Sequence, residues 1–255
     1  MKFTVLTLFP EIVKAYFESS IMAKAVEKGI IACDLVNIRD FALDKHRTCD
    51  DGTYGGGAGQ LMMPEPLGKA LDSVGAMKKH VIYVSPSGKP LTQKKAQELS
   101  RKDELVFICG RYEGIDHRII DLYVDEEISI GDYVMSSGEV ACEVIIDTVY
   151  RLIDGVISSE SLEEESYCDG LLEYPQYTRP SEYKGLKVPE VLLSGNHEEI
   201  RKWRLRKRLQ KTLKNRPDLI QSARVNGQLT EEAEKMIEEI SDLVCLKHLK
   251  KKRRK

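Results

Sequence analysis

Two short apolar runs, each followed at once by a loop of glycine and polar residues, constrain the fold of this chain most strongly. Residues 81–84 (Val-Ile-Tyr-Val) precede the Ser-Pro-Ser-Gly loop at 85–88, and residues 105–109 (Leu-Val-Phe-Ile-Cys) precede the loop at 110–116. Apolar runs of this length, bounded by turn residues, are typical of strands buried on both faces of a parallel sheet. The sequence therefore predicts the α/β fold class, with helices connecting parallel strands.

The first 30 residues extend this pattern. Residues 3–9 predict a first strand and residues 30–38 a second one. Between them, seven apolar residues recur at helical spacing, which predicts one helix that follows Pro10 and ends at Gly29. A strand, a helix and a second strand in this order favour a parallel pair.

The periodicity fades in an acidic stretch and then returns as a purely helical pattern. Asn196, with Glu199 three residues later, is a capping-box signal for the start of a helix. We predict a catalytic domain over residues 1–160, an acidic flexible linker over 161–175, and a smaller, mainly helical domain over 176–255 that ends in a basic tail.

The net charge of −2 hides opposite balances in two parts of the chain. Residues 201–255 hold 18 Lys and Arg against 7 Asp and Glu, whereas the first 200 residues hold 21 against 34. The last six residues, 250–255, are all basic and are typical of a flexible tail. This asymmetry indicates that the C-terminal part binds a polyanion.

Several protein classes are disfavoured. No stretch approaches the roughly 20 continuous apolar residues of a membrane span, so no membrane contact is expected. The six cysteines form no C-x-x-C pair and the five histidines no H-E-x-x-H motif, so we expect reduced thiols in a cytoplasmic protein and no zinc site. The glycines match neither a P-loop nor a G-x-G-x-x-G motif, which disfavours a nucleoside triphosphatase and a standard dinucleotide-binding fold.

Four loops hold more glycine and polar residues than a connector needs, at residues 50–59, 85–88, 110–116 and 129–139. In an open α/β sheet, ligands bind beyond the carboxyl ends of the strands, where such loops converge. Their backbone groups suit an adenine-like ring and a ribose. Solvated surface turns remain the alternative for any single loop.

These loops also carry a family resemblance. The motifs at residues 44–51 with 54–57, at 109–116 and at 129–134 resemble those of the bacterial tRNA (guanine-N1-)-methyltransferase (TrmD) family, as do residues 177–180 and 192–197. The matching blocks keep the same order over nearly the whole chain. The resemblance implies a trefoil-knotted catalytic domain, a homodimer with each active site at the subunit interface, and S-adenosylmethionine as the methyl donor.

The resemblance further implies the substrate and its binding residues. The substrate would be the guanosine 3′-adjacent to the anticodon (tRNA position 37), preceded by another guanosine. The residues implied for the methyl donor are Tyr83, Val84, Ser85, Pro86, Gly88, Gly110, Arg111, Tyr112, Glu113, Ile130, Gly131, Asp132, Tyr133, Val134, Met135, Ser137 and Gly138. Those implied for the tRNA anticodon stem–loop are Asp50, Gly55, Gly56, Ala58, Gly59, Ser194, Asn196, His197, Arg201, Arg204 and Arg208.

Methylation at guanine N1 defines the catalytic groups. The N1 proton must leave to a general base, and the negative charge that develops on O6 must be stabilised. The resemblance implies that Arg151 stabilises the charge on O6 and that Glu165 is the general base, at a position where the family has aspartate. Glu164 is the alternative general base. It also implies Glu113 near the sulfonium, as a plausible ligand for the Mg²⁺ with which the family is associated.

Ser137 and Ala58 stand where the family commonly has glycine and proline, which affects loop stiffness and not the reaction class. Two other functions stay open, a tRNA-binding protein without methyl transfer and a knotted ribose 2′-O-methyltransferase. The presence of Arg151 and the linker carboxylates disfavours the first. The second needs no group that deprotonates a base nitrogen, and the remaining motifs disfavour it.

Overall fold

The computed structural model describes residues 1–158, 165–167 and 169–252, with side chains described as far as residue 242. The chain divides into two compact units, Met1–Ser158 and Ser159–Lys255. The acidic residues at 163 and 164 lie outside the described residues, so the alternative base Glu164 does too. The predicted domain boundaries stay a prediction.

The N-terminal unit is built on a five-stranded sheet in the order β2-β1-β6-β5-β7, and all its strand pairs are parallel. This confirms the predicted α/β class. Two further short strands, β3 and β4, form a separate antiparallel pair. The strands are β1 (Lys2–Thr7), β2 (Ala32–Asn37), β3 (Asp50–Gly52), β4 (Gln60–Met62), β5 (His80–Pro90), β6 (Glu104–Cys109) and β7 (Glu126–Ser129).

Helices cover both faces of this sheet, which explains why the strand sequences are continuously apolar. In β6, Leu105, Phe107 and Cys109 face one hydrophobic core, and Val106 and Ile108 face the other. The first core is covered by α1 (Pro10–Phe17), α2 (Ser20–Glu27), α4 (Gln93–Leu99) and α6 (Gly138–Tyr150), the second by α3 (Pro64–Ser73) and α5 (His117–Tyr123). Side chains that alternate between two cores leave no polar face in the strand.

The single helix predicted after Pro10 is wrong, because the chain forms two helices there. The first ends at Phe17, and the second begins at Ser20, whose φ of 54° is left-handed. The hydroxyl of Ser19 donates to the carbonyl of Ala15 at 2.7 Å, a local bond that competes with continued helix. Apolar spacing alone does not detect such a break.

The C-terminal unit is mainly helical, as predicted. It contains α7 (His197–Asn215), α8 (Pro217–Val225), α9 (Glu231–Lys252) and a hairpin of β8 (Glu182–Tyr183) and β9 (Leu186–Lys187). Asn196 caps α7 by accepting from the backbone N–H of Glu199 at 3.3 Å, which confirms the capping signal. The core of the unit contains Leu171, Leu209, Ile220, Ala233, Ile237 and Ile240.

The predicted flexible tail from residue 250 begins inside α9, which continues to Lys252. Good helix formers and the preceding turns of α9 carry the helix into the basic run. Across the described part of the chain, every helix is too short or too polar to cross a bilayer. The trefoil knot stays a prediction.

Candidate active site

A cavity of about 450 Å³ lies beside the middle of β5 and beyond the carboxyl ends of β6 and β7. The loops predicted after β6 and β7 converge on it. The loop predicted at 85–88 is wrong, because these residues continue β5 (His80–Pro90) through a shift in its register against β7, but they still line the cavity as far as Ser87. Of the residues predicted for the methyl donor, those that line it are Tyr83, Val84, Ser85, Pro86, Gly110, Arg111, Tyr112, Glu113, Ile130, Gly131, Tyr133, Val134, Met135, Ser137 and Gly138. Most of this set therefore shares one small space.

Gly88 and Asp132 are outside the lining. A Cβ on Gly88 would lie 2.5 Å from the carbonyl carbon of Glu127, so this glycine allows β5 to pass close to the backbone of β7. Asp132 is exposed to solvent at the tip of its loop. Gly88 thus shapes the wall without reaching the cavity.

The last of the four loops ends earlier than predicted, because Gly138 and Glu139 belong to the first turn of α6. The backbone N–H of Gly138 donates to the carbonyl of Gly110 at 2.9 Å. A Cβ on Gly138 would lie 2.7 Å from the backbone nitrogen of Gly110. The start of α6 is therefore pressed against the loop that follows β6.

Tyr83 forms the floor beneath Gly110 and Gly114. A Cβ on Gly110 would lie 2.9 Å from the hydroxyl of Tyr83, and one on Gly114 would lie 3.2 Å from it. Burial raises the pKa of the Tyr83 phenol, and the nearby Glu127 carboxylate raises it further. Tyr83 is therefore a neutral hydroxyl at physiological pH.

The glycine-rich loop at 50–59 reaches the same site through Glu113. The backbone N–H of Glu113 donates to the carbonyl of Gln60 at 3.0 Å. Gly59 has a φ of +93°, and a Cβ there would lie 2.4 Å from Cγ of Glu113. Glycine is needed at this position both for the backbone angle and for the approach of the carboxylate.

The other residues of this loop predicted to contact tRNA are placed differently. Asp50, in β3, lies close to the phenol of Tyr112, whose pKa is raised by burial and by that carboxylate. Gly55, Gly56 and Ala58 are exposed. The loop thus has a fixed base at Asp50 and an open tip.

A buried carboxylate supports Arg111 at the cavity wall. Glu139 is fully buried, accepts a hydrogen bond from the hydroxyl of Thr7, and places Oε2 3.0 Å from Nε of Arg111. This last contact is an ion pair without hydrogen-bond geometry. The guanidinium of Arg111 also lies 4.4 Å from the ring centroid of Phe9. Glu139 of α6 and Phe9, which follows β1, therefore both hold Arg111 in the lining.

The sequence analysis missed several cavity residues. His117 and Ile120 line it from α5, Glu127 and Ile128 from β7, and Ala141 from α6. These residues lie inside regular elements that flank the selected loops, so a search for glycine-rich segments passes over them. Glu127 and Ile128 directly precede the predicted loop at 129, and this position was the one sequence signal that could have indicated them.

The predicted catalytic pair is divided between the two units. Arg151 is half-buried and caps the C-terminus of α6 in the N-terminal unit. Glu165 is half-buried in the C-terminal unit, in a turn that precedes α7. Each is placed within its own unit.

The C-terminal unit has its own cavity of about 500 Å³, lined in part by His197, Arg201, Arg204 and Arg208. Ser194 and Asn196 are exposed beside the start of α7, where the Ser194 hydroxyl accepts from the Asn196 backbone at 3.1 Å. All the residues predicted here for tRNA are thus on α7 or directly before it.

Many arginines of this unit are paired with carboxylates within it. Arg201 pairs with Glu198 and Glu232, and Arg208 pairs with Asp169. Further pairs join Arg206 to Glu239, Arg216 to Asp218 and Arg224 to Glu234. Arg204 lies 4.8 Å from the ring centroid of Tyr174. The basic excess of the sequence is therefore partly neutralised inside the fold.

Within the described residues, no group of three or more His, Cys, Asp or Glu side chains is arranged to hold a metal ion. The carboxylates at the cavity are those of Glu113 and Glu127.

Comparisons with known proteins add to this geometry. The family model described as tRNA (Guanine-1)-methyltransferase TrmD matches residues 1–222. The tRNA (guanine-N(1)-)-methyltransferase of Treponema denticola is 70% identical over 242 residues, which cover 95% of this chain and 100% of that protein. The protein of that name from Borrelia turicatae is 63% identical over 221 residues, covering 86% and 92%. The one from Treponema pallidum is 58% identical over 240 residues, covering 94% and 96%.

Proposed function

The chain belongs to the tRNA (guanine-1)-methyltransferase TrmD family, and from this premise we propose that it methylates N1 of the guanosine at tRNA position 37, where a guanosine precedes it. The observation that carries the proposal is the convergence of the family's motif loops on one cavity of about 450 Å³. Small-molecule sites of about 300–1,000 Å³ with few polar groups are typical of enzymes. S-adenosylmethionine supplies the methyl group from its sulfonium.

The lining fits this donor. Apolar side chains of Val84, Ile128 and Met135 provide walls for an adenine-like ring, and the glycine-bearing loops expose backbone groups for hydrogen bonds. Tyr83 offers a neutral hydroxyl, and Arg111 offers a positive charge that Glu139 holds in place. These residues would bind and orient the donor.

If the donor is bound in this way, Gly138→Ala should weaken its binding by about tenfold or more, because overpacking a tight contact costs about 1–3 kcal/mol. The added methyl would push on the Gly110 backbone, which has little freedom to move. Calorimetry with S-adenosylmethionine measures the affinity. The matched control is Gly68→Ala in α3, where the new Cβ would make an ordinary contact at 3.6 Å; unchanged affinity in both variants would contradict the proposal.

Glu165 would act as the general base that takes the proton from guanine N1. A carboxylate within hydrogen-bond reach of that proton is what the reaction requires. Arg151 would donate to O6 as negative charge develops there, a form of fixed electrostatic stabilisation. The N1 lone pair then becomes available for the methyl group.

tRNA binding would involve both units. The open tip of the glycine loop and Asp50 would lie beside the target base and its neighbour, after the base has turned out of the stack. Ser194, Asn196 and His197 would contact the anticodon loop, and basic side chains of α7 would neutralise phosphates without reading sequence. A cytoplasmic location follows from this substrate.

We further propose the homodimer and the trefoil knot that the family resemblance implies. Val140 and Val144 lie one turn apart on α6 and are 45% and 41% exposed, which gives that helix an apolar outer face. Apolar side chains at such spacing are typical of helices that bury a second face in an interface. The active site would lie at this interface.

The described residues hold no cluster of three or more carboxylate, His or Cys ligands for a resident Mg²⁺. Mg²⁺ prefers six oxygen ligands in near-octahedral geometry and often uses one or two carboxylates with substrate oxygens. Two carboxylates line the cavity, those of Glu113 and Glu127, and that of Glu113 is packed against Gly59. The involvement of Mg²⁺ stays a prediction.

The test of this function is methyl transfer from labelled S-adenosylmethionine to unmodified tRNA transcripts that carry guanosine or adenosine at position 37. We expect transfer to the guanosine transcript alone, with N1-methylguanosine in the digest. Donor binding without transfer would leave a tRNA-binding protein, and methylated ribose would indicate a 2′-O-methyltransferase. Either result would overturn the proposal.

A further inference from the structure

Residues directly after Glu165 are hydrogen-bonded to residues further along the chain. The backbone N–H of Tyr167 donates to the carbonyl of Leu171 at 2.9 Å, and the backbone N–H of Glu173 donates to the hydroxyl of Ser166 at 3.0 Å. These bonds join the start of the segment, next to Glu165, to its end. The position of Glu165 therefore depends on where residues 169–173 are fixed.

That end is fixed on α7 by two side chains one turn apart. Arg208 makes a two-pronged pair with Asp169, with Nη1 2.7 Å from Oδ2 and Nη2 bonded to Oδ1, and its Nε donates to the carbonyl of Leu172 at 3.3 Å. Thr212, fully buried, accepts from the backbone N–H of Leu172 at 3.0 Å. We call Asp169, Leu172, Arg208 and Thr212 the α7 clamp.

The clamp differs from the other arginine pairs of this unit in burial and in what it holds. The Arg208 side chain is 13% exposed, whereas Arg216 and Arg224 are 45% and 39% exposed. Exposed pairs contribute little. The Asp169 carboxylate is 48% exposed, so what distinguishes this pair is the burial of its arginine and the additional bond to the Leu172 carbonyl. Asp169 and Leu172 already take three of the five guanidinium N–H groups of Arg208, so its orientation is set within the unit.

We propose that Arg208 and Asp169 are positioning residues, which set the place of Glu165 through the turn and do not contact the tRNA. The inference rests on the proposed function, in which Glu165 is the general base. Displacing a reacting group by about 1 Å can lower a rate by about 100-fold. Loss of the clamp therefore affects the methyl-transfer step and leaves substrate binding intact.

The test is a double-mutant cycle with Asp169→Asn, Arg208→Gln and the double variant, in the full chain. Asp169→Asn keeps the shape of the side chain, and Arg208→Lys provides a second, conservative variant that should restore part of the rate. Single-turnover rates at saturating donor and tRNA, the tRNA Kd as a function of salt, and Tm are measured for each. Arg224→Gln, which breaks an exposed pair in the same unit, is the matched control.

We expect each single variant to lose between about 10- and 100-fold in rate, with Arg208→Gln at least as impaired as Asp169→Asn because it also loses the bond to Leu172. The double variant should be no slower than Arg208→Gln, because both changes remove the Asp169–Arg208 pair. The tRNA Kd should stay within about twofold and its salt slope unchanged, whereas a lost phosphate contact would lower that slope by about one. The control should keep its rate even where its Tm falls.

Unchanged rates in the clamp variants, multiplicative losses in the double variant, or a weaker Kd with a smaller salt slope would each overturn the inference. Failure of the proposed function gives a different result. In that case the unmodified protein transfers no methyl group to guanosine 37, or Glu165→Gln retains its full rate.

Discussion

Glu165→Gln is expected to lower the single-turnover rate of methyl transfer by about 100- to 10,000-fold, the range that a positioned general base contributes. The amide has the size of the carboxylate but cannot accept the N1 proton. Binding of S-adenosylmethionine should not change, because Glu165 is not among the residues that line the cavity proposed for the donor. Quench-flow with labelled donor and calorimetry measure the two quantities.

The control for this variant is Glu182→Gln, which neutralises an exposed carboxylate of the β8–β9 hairpin in the same unit. It should transfer methyl groups at the unmodified rate. Full activity in Glu165→Gln would remove Glu165 from the mechanism. A loss in Glu164→Gln instead would assign the base to Glu164.

Glu139→Ala is expected to destabilise the protein by about 3–5 kcal/mol, the cost of breaking a buried ion pair by removal of one partner. Thr7 would lose its acceptor, and Arg111 would keep a charge in the cavity wall without its carboxylate. Donor affinity should fall as well, because Arg111 would no longer be held in the lining. Urea denaturation measures the first effect and calorimetry the second.

Two variants sharpen this prediction. Glu139→Gln keeps an oxygen for Thr7 but removes the charge, so its effect should be smaller than that of the alanine. Glu143→Gln, one turn along α6, is the control. Burial and the charge of Glu139 already raise the pKa of Glu143, so neutralising it should change stability by about 0.5 kcal/mol or less. Equal losses at residues 139 and 143 would show that the Arg111 pair has no special role.

The strands of the N-terminal unit were predictable because a strand buried on both faces needs apolar residues at consecutive positions. Leu105 to Cys109 face two cores in alternation, so each position had to be apolar. The convergence of the loops after β6 and β7 on one cavity was predictable for a related reason, since parallel strands place the loops that follow them at one edge of the sheet. In both cases a short run of sequence is enough to indicate where its residues lie in the fold.

The supporting contacts of the site were not predictable in this way. In the sequence, Glu139 stands at the end of the polar loop predicted at 129–139, and its partner Thr7 lies 132 residues away. Asp169 and Arg208 are separated by 39 residues. Whether a charged side chain is buried depends on its tertiary contacts, and the periodicity of the sequence does not indicate those contacts.

The length of α6 has a consequence for how two copies of the chain would share the reaction. This helix begins at the wall of the donor cavity with Gly138, and Arg151 caps its other end after 13 residues. At about 1.5 Å per residue its ends are about 20 Å apart, farther than an arginine side chain extends. Arg151 therefore does not contact the cavity wall at Gly138 from the far end of the helix. In the proposed dimer, the arginine of one copy would act at the cavity of the other, so that each reaction centre would take groups from both copies.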